Sequence, residues 1–376
     1  MLVPATMRLC NNLAFAVFSV LLPASALSLP APNSASPATA LALQAQQQAK
    51  PAPAQQAPPL TVDRDPVRSP DAEAPSSAAG SISKEGTGFV LRTDVEEVVL
   101  NATVLDGNRL VPDLKQENFQ VSEDGVKQNI ISFQHTDLPV SIALVVDNSG
   151  SMARKRPSVN KSALDLIQAS NPQDEAFVVN FSDEAFIDQE FTSDVNKLRD
   201  GLGQYKVGGG TALYDAVVAS ADELAADAKR PKQVLIIITD GEDNASTLNL
   251  EQTIRRVQEL SGPVIYSIGL LFGDEMNRGE VRHARRALEM LSAETGGIAF
   301  FPKNIEQIDQ ISAEVARDIR NQYTLGYRST KPTTEPGFRH IQLNAEAKGM
   351  SKLTVRTRTG YYPVARNGKK AAPIQH

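Results

Sequence analysis

The sequence has little of several residue types, and each shortage excludes a class of function. Cysteine occurs once, as Cys10, so the chain cannot form an internal disulfide, and thiol chemistry is excluded if the N-terminal segment is removed. Tryptophan is absent and aromatic residues make up 5%, which argues against stacking platforms for sugars or single-stranded nucleic acid. The formal net charge of -6 gives no basic surface for DNA or RNA. Hydrophobic residues nevertheless reach 41% of the 376 residues, which is enough for a folded core.

The N-terminus has the pattern of a secretory signal. Arg8 precedes an apolar run over residues 13–22, and residues 24–26 (ASA) supply a small-residue cleavage site. The run has ten residues, half of the roughly 20 needed to span a bilayer. We therefore predict a signal peptide over residues 1–26, with an uncleaved anchor as the alternative. The predicted location is periplasmic, secreted or at the cell surface, with no membrane span after cleavage.

Low-complexity segments flank the folded part of the chain. Residues 27–83 are dominated by Ala, Pro, Gln and Ser, and such a composition has too little apolar surface to offset the entropy of ordering. We predict a disordered linker there, with a proline-rich recognition segment as the alternative. A disordered tail is predicted over residues 364–376.

Residues 138–322 alternate strand-like and helix-like segments. The runs SIALVV and VLIII are apolar throughout, as in strands that are covered on both faces. Alternating strands and helices predict an α/β fold, a doubly wound and mostly parallel six-stranded sheet that binds ligands at the carboxyl ends of its strands. The predicted strands are 141–146, 176–181, 185–191, 234–238, 264–271 and 298–301, and the predicted helices are 161–170, 211–228, 250–260, 281–294 and 305–320.

The segments on either side, 84–137 and 323–363, are strand-like instead. Three short strands on each side are marginal alone, so we predict that they pair into one small β-sandwich in which the α/β domain is inserted. The alternative, two separate β appendages, leaves long unpaired edges. The predicted strands are 95–105, 119–121, 130–133, 323–328, 340–345 and 353–358.

Three polar segments adjoin the predicted strands and helices at one edge of the sheet. The segment DNSGS contains Asp147, Ser149 and Ser151 and follows the first buried strand. Thr211 opens a helix after three glycines, and Asp240 follows the strand VLIII. Because the carboxyl ends of parallel strands meet at one edge, we expect these five side chains to cluster.

The five side chains offer two carboxylates and three hydroxyls. These hard oxygen ligands favour Mg²⁺, with Mn²⁺ or Ca²⁺ as alternatives, over zinc or copper. They do not fully neutralise the charge of the ion, and they leave one of its coordination positions free. We therefore expect a carboxylate of a partner to be the remaining ligand. The segments therefore predict a binding device rather than a catalyst.

The same segments resemble the metal-ion-dependent adhesion site of the von Willebrand factor type A domain, in which Asp-x-Ser-x-Ser is followed by a Thr and an Asp. The matching stretches are DNSGS, GGGTALYDA and IITDGEDN. The resemblance implies that the two serines bind the metal directly, that the Thr binds in one of two conformations, and that the Asp residues act largely through waters. The flanks, including QYTLGYRS and LTVRTRTGYYP, resemble the VWFA-related group of acidobacterial genomes, which has no known ligand.

Other interpretations of these residues are weaker. Residues 208–210 lack the Gly-Lys-Ser/Thr ending of a phosphate-binding loop. DNSGS is similar to a serine-protease nucleophile loop, but no histidine lies in the loops expected at this edge. A haloacid-dehalogenase-like phosphatase needs a second Asp two residues after Asp147, where this chain has Ser149. Helix capping or turn formation by the DNSGS side chains is the remaining structural interpretation.

Two nearby features of the sequence each allow two interpretations. Residues 154–156 (RKR) are interpreted as a solvated helix start, with a basic rim that attracts an acidic partner as the alternative. Asp243 either supports Asp240 or only shapes its loop. The predicted function is an exported binding protein, not an enzyme, that engages a protein presenting Asp or Glu and does not bind nucleic acid. An envelope scaffold without an exchangeable ligand and a metal-dependent phosphatase are the alternatives.

Overall fold

The computed structural model describes residues 83–85, 88–90, 97–204, 206–273, 276–350 and 352–363. The predicted signal peptide, the linker up to residue 82 and the tail lie outside the described residues. The strands are β1 (Ser83–Glu85), β2 (Gly88–Val90), β3 (Glu97–Asp106), β4 (Arg109–Leu110), β5 (Phe119–Glu123), β6 (Val126–Gln128), β7 (Ile130–Gln134), β8 (Val140–Asp147), β9 (Glu175–Phe181), β10 (Ala185–Thr192), β11 (Lys232–Thr239), β12 (Val264–Gly269), β13 (Ala299–Phe300), β14 (Tyr323–Arg328), β15 (Arg339–Ala345), β16 (Thr354–Arg356) and β17 (Gly360–Tyr361). The helices are α1 (Arg156–Gln168), α2 (Val195–Gly203), α3 (Leu213–Asp227), α4 (Leu250–Glu259), α5 (Arg278–Thr295) and α6 (Ile308–Arg320). Within the described part of the chain, no helix has the length and apolar character to cross a membrane.

The central sheet has six strands in the order β10-β9-β8-β11-β12-β13. Its neighbours are parallel except for β10, which pairs antiparallel with β9 at one edge. Every residue of β8 is buried, because α1, α2 and α6 cover one face of the sheet and α3, α4 and α5 cover the other. Along β8, Ile142 and Leu144 belong to the first core and Ala143 and Val145 to the second. The predicted mostly parallel six-stranded α/β sheet is confirmed.

One helix of this domain, α2, is not among the predicted segments. Asp194 caps its start by accepting a hydrogen bond from the backbone N–H of Asn196 at 2.9 Å. Leu198 and Leu202, one turn apart, are buried against the first core. A cap residue and two leucines four residues apart were present in the sequence, but the helix is too short for a clear period.

The flanking segments form two antiparallel sheets that face each other. One has the order β16-β3-β14-β7 with β4 on the edge of β3, and the other has the order β17-β15-β5-β6. Leu100 of β3, Val121 of β5, Leu325 of β14 and Leu343 of β15 share one core. Because β3 pairs with β14 and β5 pairs with β15, the segments before and after the α/β domain complete each other. The predicted sandwich is therefore confirmed, and the interpretation as two separate appendages is wrong.

A buried ion pair lies within the sandwich. Glu123 is fully buried, and its Oε2 accepts hydrogen bonds from the hydroxyls of Tyr327 at 2.7 Å and Tyr361 at 3.1 Å. Its Oε1 accepts from Ser329 Oγ at 2.6 Å and from Arg339 Nη1 at 3.5 Å. Arg339 is also buried, so the network joins β5 of one sheet to β14 of the other around two charges that have no access to solvent.

Polar side chains connect the α/β domain to the sandwich where α6 ends. Asp318 Oδ2 accepts from the hydroxyl of Tyr266 on β12 at 2.7 Å, and Asp318 Oδ1 accepts from Arg356 Nη2 on β16 at 2.7 Å. Arg320 Nη1 donates to Asp137 Oδ1 at 2.7 Å, just before β8. The last turn of α6 is therefore bonded to residues on both sides of the domain boundary.

Lys232, the first residue of β11, is buried near this connection. Its Nζ donates to the backbone carbonyl of Ile319 on α6. Burial and the charge of Arg320 lower the pKa of Lys232, nearby carboxylates partly oppose the shift, and the net result is a pKa of about 7. An unfolded lysine has a pKa of 10.5, so between these values the unfolded chain holds a proton that the folded protein has released.

We expect the free energy of unfolding to rise with pH in this window, since the unfolded state binds more protons than the folded state. The contribution of Lys232 should amount to about 2 kcal/mol between about pH 7 and about pH 9. Urea unfolding of the wild type, of Lys232→Met and of the exposed control Lys229→Met measures it at both pH values. Lys232→Met should lose this gain and Lys229→Met should keep it, whereas the same pH dependence in all three proteins contradicts the prediction.

Candidate metal centre

The structure brings the predicted site residues to one edge of the central sheet. Asp147 is the last residue of β8, and Asp240 directly follows β11. The two strands are parallel neighbours with Val146 opposite Ile238, so both carboxylates leave the sheet side by side. Thr211 lies two residues before Leu213, the first residue of α3.

Four of the five side chains form one hydrogen-bonded chain. Asp147 Oδ1 accepts from the backbone N–H of Ser149 at 2.7 Å. The hydroxyl oxygens of Ser149 and Ser151 are 3.2 Å apart, and Ser151 Oγ donates to Asp240 Oδ1 at 2.7 Å. Asp147, Ser149 and Asp240 are buried and Ser151 is half-buried, so the cluster is a recessed polar centre that solvent reaches from the side of Ser151.

Thr239 orients the first carboxylate. Its Oγ1 donates to Asp147 Oδ2 at 2.5 Å and accepts from the backbone N–H of Gly241 at 3.2 Å. Burial and the charge of Asp240 raise the pKa of Asp147, the hydrogen bonds from Thr239 and Ser149 oppose the shift, and the net result is a pKa of about 6. The contact between Thr239 and Asp147 could not be predicted from strand spacing alone, because it depends on the pairing of β8 with β11.

Thr211 is buried and held by the loop that follows β11. Its backbone N–H donates to Asn244 Oδ1 at 2.9 Å, and its carbonyl accepts from the backbone N–H of Asn244 at 3.0 Å. A Cβ on Gly241 would lie 3.0 Å from Thr211 Oγ1, so this hydroxyl sits beside the residue after Asp240. The described hydrogen bonds place the Thr211 hydroxyl next to the chain from Asp147 to Asp240 but not within it.

Asp243 shapes the loop rather than supporting Asp240. Its Oδ2 accepts from the backbone N–H of Tyr214 at 3.0 Å and from Ser246 Oγ at 2.5 Å. Because Tyr214 is in the first turn of α3, Asp243 satisfies a free N–H at the helix start. This contact binds the loop after β11 to the helix that follows Thr211, which keeps the two parts of the site in register.

The glycine run before Thr211 is required by a close approach. Gly209 has φ +80°, a conformation that favours glycine, and a Cβ there would overlap the carboxylate of Asp183. The backbone N–H of Gly210 donates to Asp183 Oδ1 at 2.6 Å. Asp183 therefore fixes the path of the loop and with it the position of Thr211.

The predicted solvated helix start at residues 154–156 is wrong for two of its three residues. Arg154 is exposed, but Arg156 is fully buried and Lys155 is 8% exposed. Lys155 Nζ donates to Asp240 Oδ2 at 2.6 Å. A buried carboxylate is costly without a countercharge, and the ammonium of Lys155 supplies one. The charge run therefore contributes one cation to the centre itself rather than a basic rim around it.

One histidine contacts the loop after β11 from a neighbouring helix. His283 on α5 lies with Nδ1 3.1 Å from Oε1 of Glu242, which is in the loop after β11. Its side chain is 73% exposed, so it stands at the surface of the loop. His135 stacks on Tyr323 of the sandwich with ring centroids 4.2 Å apart. The contact of His283 is thus with an acid of the loop and not with the hydroxyls of Ser149 or Ser151.

The donor set fits a hard divalent cation. Groups of three or more His, Cys, Asp or Glu side chains placed to hold a metal do not occur in the described ranges. A metal at this edge must therefore use hydroxyl oxygens in addition to the two carboxylates. Mg²⁺ accepts such a set because it binds few protein carboxylates and keeps several waters.

Comparisons with known proteins point to one family. Residues 142–242 match the family model of the von Willebrand factor type A domain. The human inter-alpha-trypsin inhibitor heavy chain H4 is 25% identical over 281 residues, which cover 67% of this chain and 29% of that protein. This chain thus spans less than a third of that relative.

Solved structures with a similar fold include a von Willebrand factor type A protein from Catenulispora acidiphila, with 12% identity, a TM-score of 0.42, and coverage of 72% of this chain and 74% of that one. Another is the vWF domain of the type V pili tip protein Mfa5 from Porphyromonas gingivalis. It has 13% identity, a TM-score of 0.40, and coverage of 49% of this chain and 96% of that one.

Proposed function

We propose that this chain is an exported binding protein that engages a partner through a divalent metal, since residues 142–242 match the model of the von Willebrand factor type A domain, a family of protein-interaction and adhesion domains. The observation that carries the proposal is the hydrogen-bonded cluster of Asp147, Ser149, Ser151 and Asp240 at the end of two adjacent parallel strands. Export rests on the apolar run over residues 13–22 and the small residues that follow it.

The roles of the residues follow from their chemistry. Ser149 and Ser151 would hold Mg²⁺ through their hydroxyl oxygens, and Thr211 would approach it from the neighbouring loop. Asp147 and Asp240 would supply the negative charge, with Thr239 orienting the first of them. An ion held by these residues would supply an electrophile, to which an oxygen of the partner could bind.

The charge of the centre favours an acidic partner. Because Asp240 Oδ2 is already paired with Lys155 Nζ, the carboxylates of Asp147 and Asp240 would leave a divalent ion under-neutralised, with one net positive charge at the site. A carboxylate of an Asp or Glu side chain on a partner protein neutralises that charge and completes the coordination.

A binding role fits these contacts better than catalysis. Ser149 shares its hydroxyl with Ser151, and the histidine nearest to this edge bonds to Glu242. A serine nucleophile needs a base within hydrogen-bond distance, and the described contacts of the two serines are to each other and to carboxylates. A phosphatase of the haloacid-dehalogenase type needs a carboxylate where Ser149 stands.

The test of this proposal has two stages. Calorimetric titration of Mg²⁺ into the full chain should show saturable binding, and the chain immobilised in Mg²⁺ should capture a partner from envelope extract that EDTA releases. The absence of Mg²⁺ binding would refute the metal site. Metal binding with no EDTA-sensitive capture would favour the scaffold function, and turnover of a phosphoester panel would favour the phosphatase.

Replacing Lys155 by methionine should tighten Mg²⁺ binding about tenfold, or roughly 1.4 kcal/mol. In the folded protein the ammonium of Lys155 pairs with Asp240 Oδ2 at 2.6 Å and so competes with a metal for this oxygen. Its positive charge would also repel a divalent ion. Its ring contact with Phe272, 5.5 Å from the centroid, is replaced by an equally apolar methionine chain. Calorimetry measures the affinity, and the melting temperature in EDTA should fall because Asp240 loses its countercharge.

Lys161→Met is the matched control, because it removes one positive charge from α1 without touching the site. Lys161 is exposed and pairs with Asp165 at 2.6 Å and Asp309 at 2.9 Å. This control should bind Mg²⁺ as the wild type does. An affinity of Lys155→Met equal to or weaker than that of the control would refute the competition between the ammonium and the metal.

A further inference from the structure

A cavity of about 390 Å³ lies between the α/β domain and the sandwich. One wall comes from α6 and β13, and the other comes from the β3–β4 hairpin and β16. Its size is within the range of about 300–1,000 Å³ that small-molecule sites have, and such sites often lie between domains. It involves none of the residues of the candidate metal centre.

Arg356 brings a positive charge to the cavity wall, where its side chain is 20% exposed. Its Nη2 donates to Asp318 Oδ1 at 2.7 Å, which orients the guanidinium. Its Nε and Nη1 are buried and have no hydrogen-bond partner among the described residues. A buried donor without an acceptor costs about 1–3 kcal/mol, and more when the group is charged. Because both atoms are closed off from solvent, an acceptor in the cavity reaches them only if the guanidinium turns toward it, which would also remove this cost.

Asp318 cannot satisfy the remaining donors. Its Oδ2 already accepts from the hydroxyl of Tyr266 at 2.7 Å and from Thr103 Oγ1 at 3.4 Å. Its place in the cavity wall is thus to hold Arg356, not to bind a ligand. The charge of Arg356 is balanced by that of Asp318. The other charged residues of the lining are two exposed arginines, Arg109 and Arg317, and one glutamate, Glu314, which balances the charge of only one of them.

The lining therefore carries one positive charge more than negative charge. Apart from Asn108, the rest of the wall is apolar, with Leu105 and Leu110 on the hairpin and Ile298 and Phe300 on the side of β13. An occupant that matches this lining has one negative charge at one end and an apolar body at the other. We propose that this cavity binds a small amphipathic monoanion, an organic carboxylate with an apolar chain or ring.

Octanoate is a suitable probe, and 1-octanol and octylammonium are controls with the same apolar chain. Calorimetric titration of the full chain should show saturable binding of octanoate, with binding of 1-octanol at least about tenfold weaker and no binding of octylammonium. The titration is repeated in EDTA and in Mg²⁺ and should give the same affinity, since the cavity is separate from the metal centre.

Two variants locate the binding. Arg356→Gln should weaken octanoate binding at least about tenfold, because it removes the charged donors. Leu110→Trp should do the same by filling the apolar part while leaving the Arg356 pair in place, so it tests the site even if Arg356→Gln is unstable. Arg328→Gln, an exposed arginine of β14 outside the cavity lining, is the control and should bind as the wild type does.

Several outcomes would overturn the proposal. The first is that octanoate does not bind at millimolar concentration, which would mean that the cavity holds only water. The second is that octanoate and 1-octanol bind equally well. The third is that Leu110→Trp binds octanoate as the wild type does. Circular dichroism of each variant confirms that the fold is retained.

Discussion

Replacing Asp147 by alanine is expected to reduce Mg²⁺ affinity at least about 100-fold. Asp147 supplies one of only two carboxylates at the site, and hydroxyl ligands cannot replace its charge. It also holds the loop of the two serines, through its hydrogen bond from the backbone N–H of Ser149 at 2.7 Å. Its loss therefore removes negative charge and the orientation of the proposed hydroxyl ligands together. Calorimetry with Mg²⁺ and Mn²⁺ on both proteins measures the effect.

Two further variants make this result interpretable. Asp200→Ala removes an exposed carboxylate of α2 and should keep the affinity of the wild type, because it changes the net charge equally but lies outside the site. Ser151→Ala removes a half-buried hydroxyl and should weaken binding about tenfold with little effect on the fold. Equal Mg²⁺ binding in the wild type and Asp147→Ala would refute the metal site.

Replacing Glu123 by glutamine is expected to lower the free energy of unfolding by about 3–5 kcal/mol. The change leaves Arg339, which is 3% exposed, as a buried cation without its countercharge. The amide also presents N–H groups where the carboxylate accepted from Tyr327, Tyr361 and Ser329. Urea unfolding at neutral pH measures the loss, which should appear as a lower midpoint.

The double variant Glu123→Gln with Arg339→Met separates the ion pair from general packing. Removing both charges should recover part of the stability, because no uncompensated charge then remains buried. Asp309→Asn serves as the exposed control, since its pair with Lys161 lies at the surface and should contribute less than about 1 kcal/mol. A cost for Glu123→Gln as small as that of this control would contradict the buried ion pair.

Much of the fold could be predicted because its signals are local. The apolar runs around Leu144 and Ile236 are strands covered on both faces, and alternation between strands and helices implies their parallel order. The short helix α2 was missed because a nine-residue segment offers only two buried leucines, Leu198 and Leu202, to define its period.

The clustering of the candidate site residues was predictable, and their individual contacts were less so. Asp147 and Asp240 could be placed together because each follows a strand of one parallel sheet. The contact of Lys155 with Asp240 could not be predicted, since a charged residue at a helix start is usually solvated. Lys155 is buried here because it pairs with the buried carboxylate of Asp240. The role of Asp243 was likewise undetermined, because its partner Tyr214 lies in another segment of the chain.

The pairing of β7 with β14 has a mechanical consequence. The chain leaves the sandwich for the inserted domain after Gln134 and returns to it near Thr324, and these two residues are opposite each other in the same antiparallel ladder. Tension applied at the metal centre by a captured partner would reach the sandwich through two covalent strands that are clamped side by side. The load is then divided between both crossings, because both strands are pulled from the same end of the ladder. A protein that must hold a partner under pull gains resistance from such an arrangement.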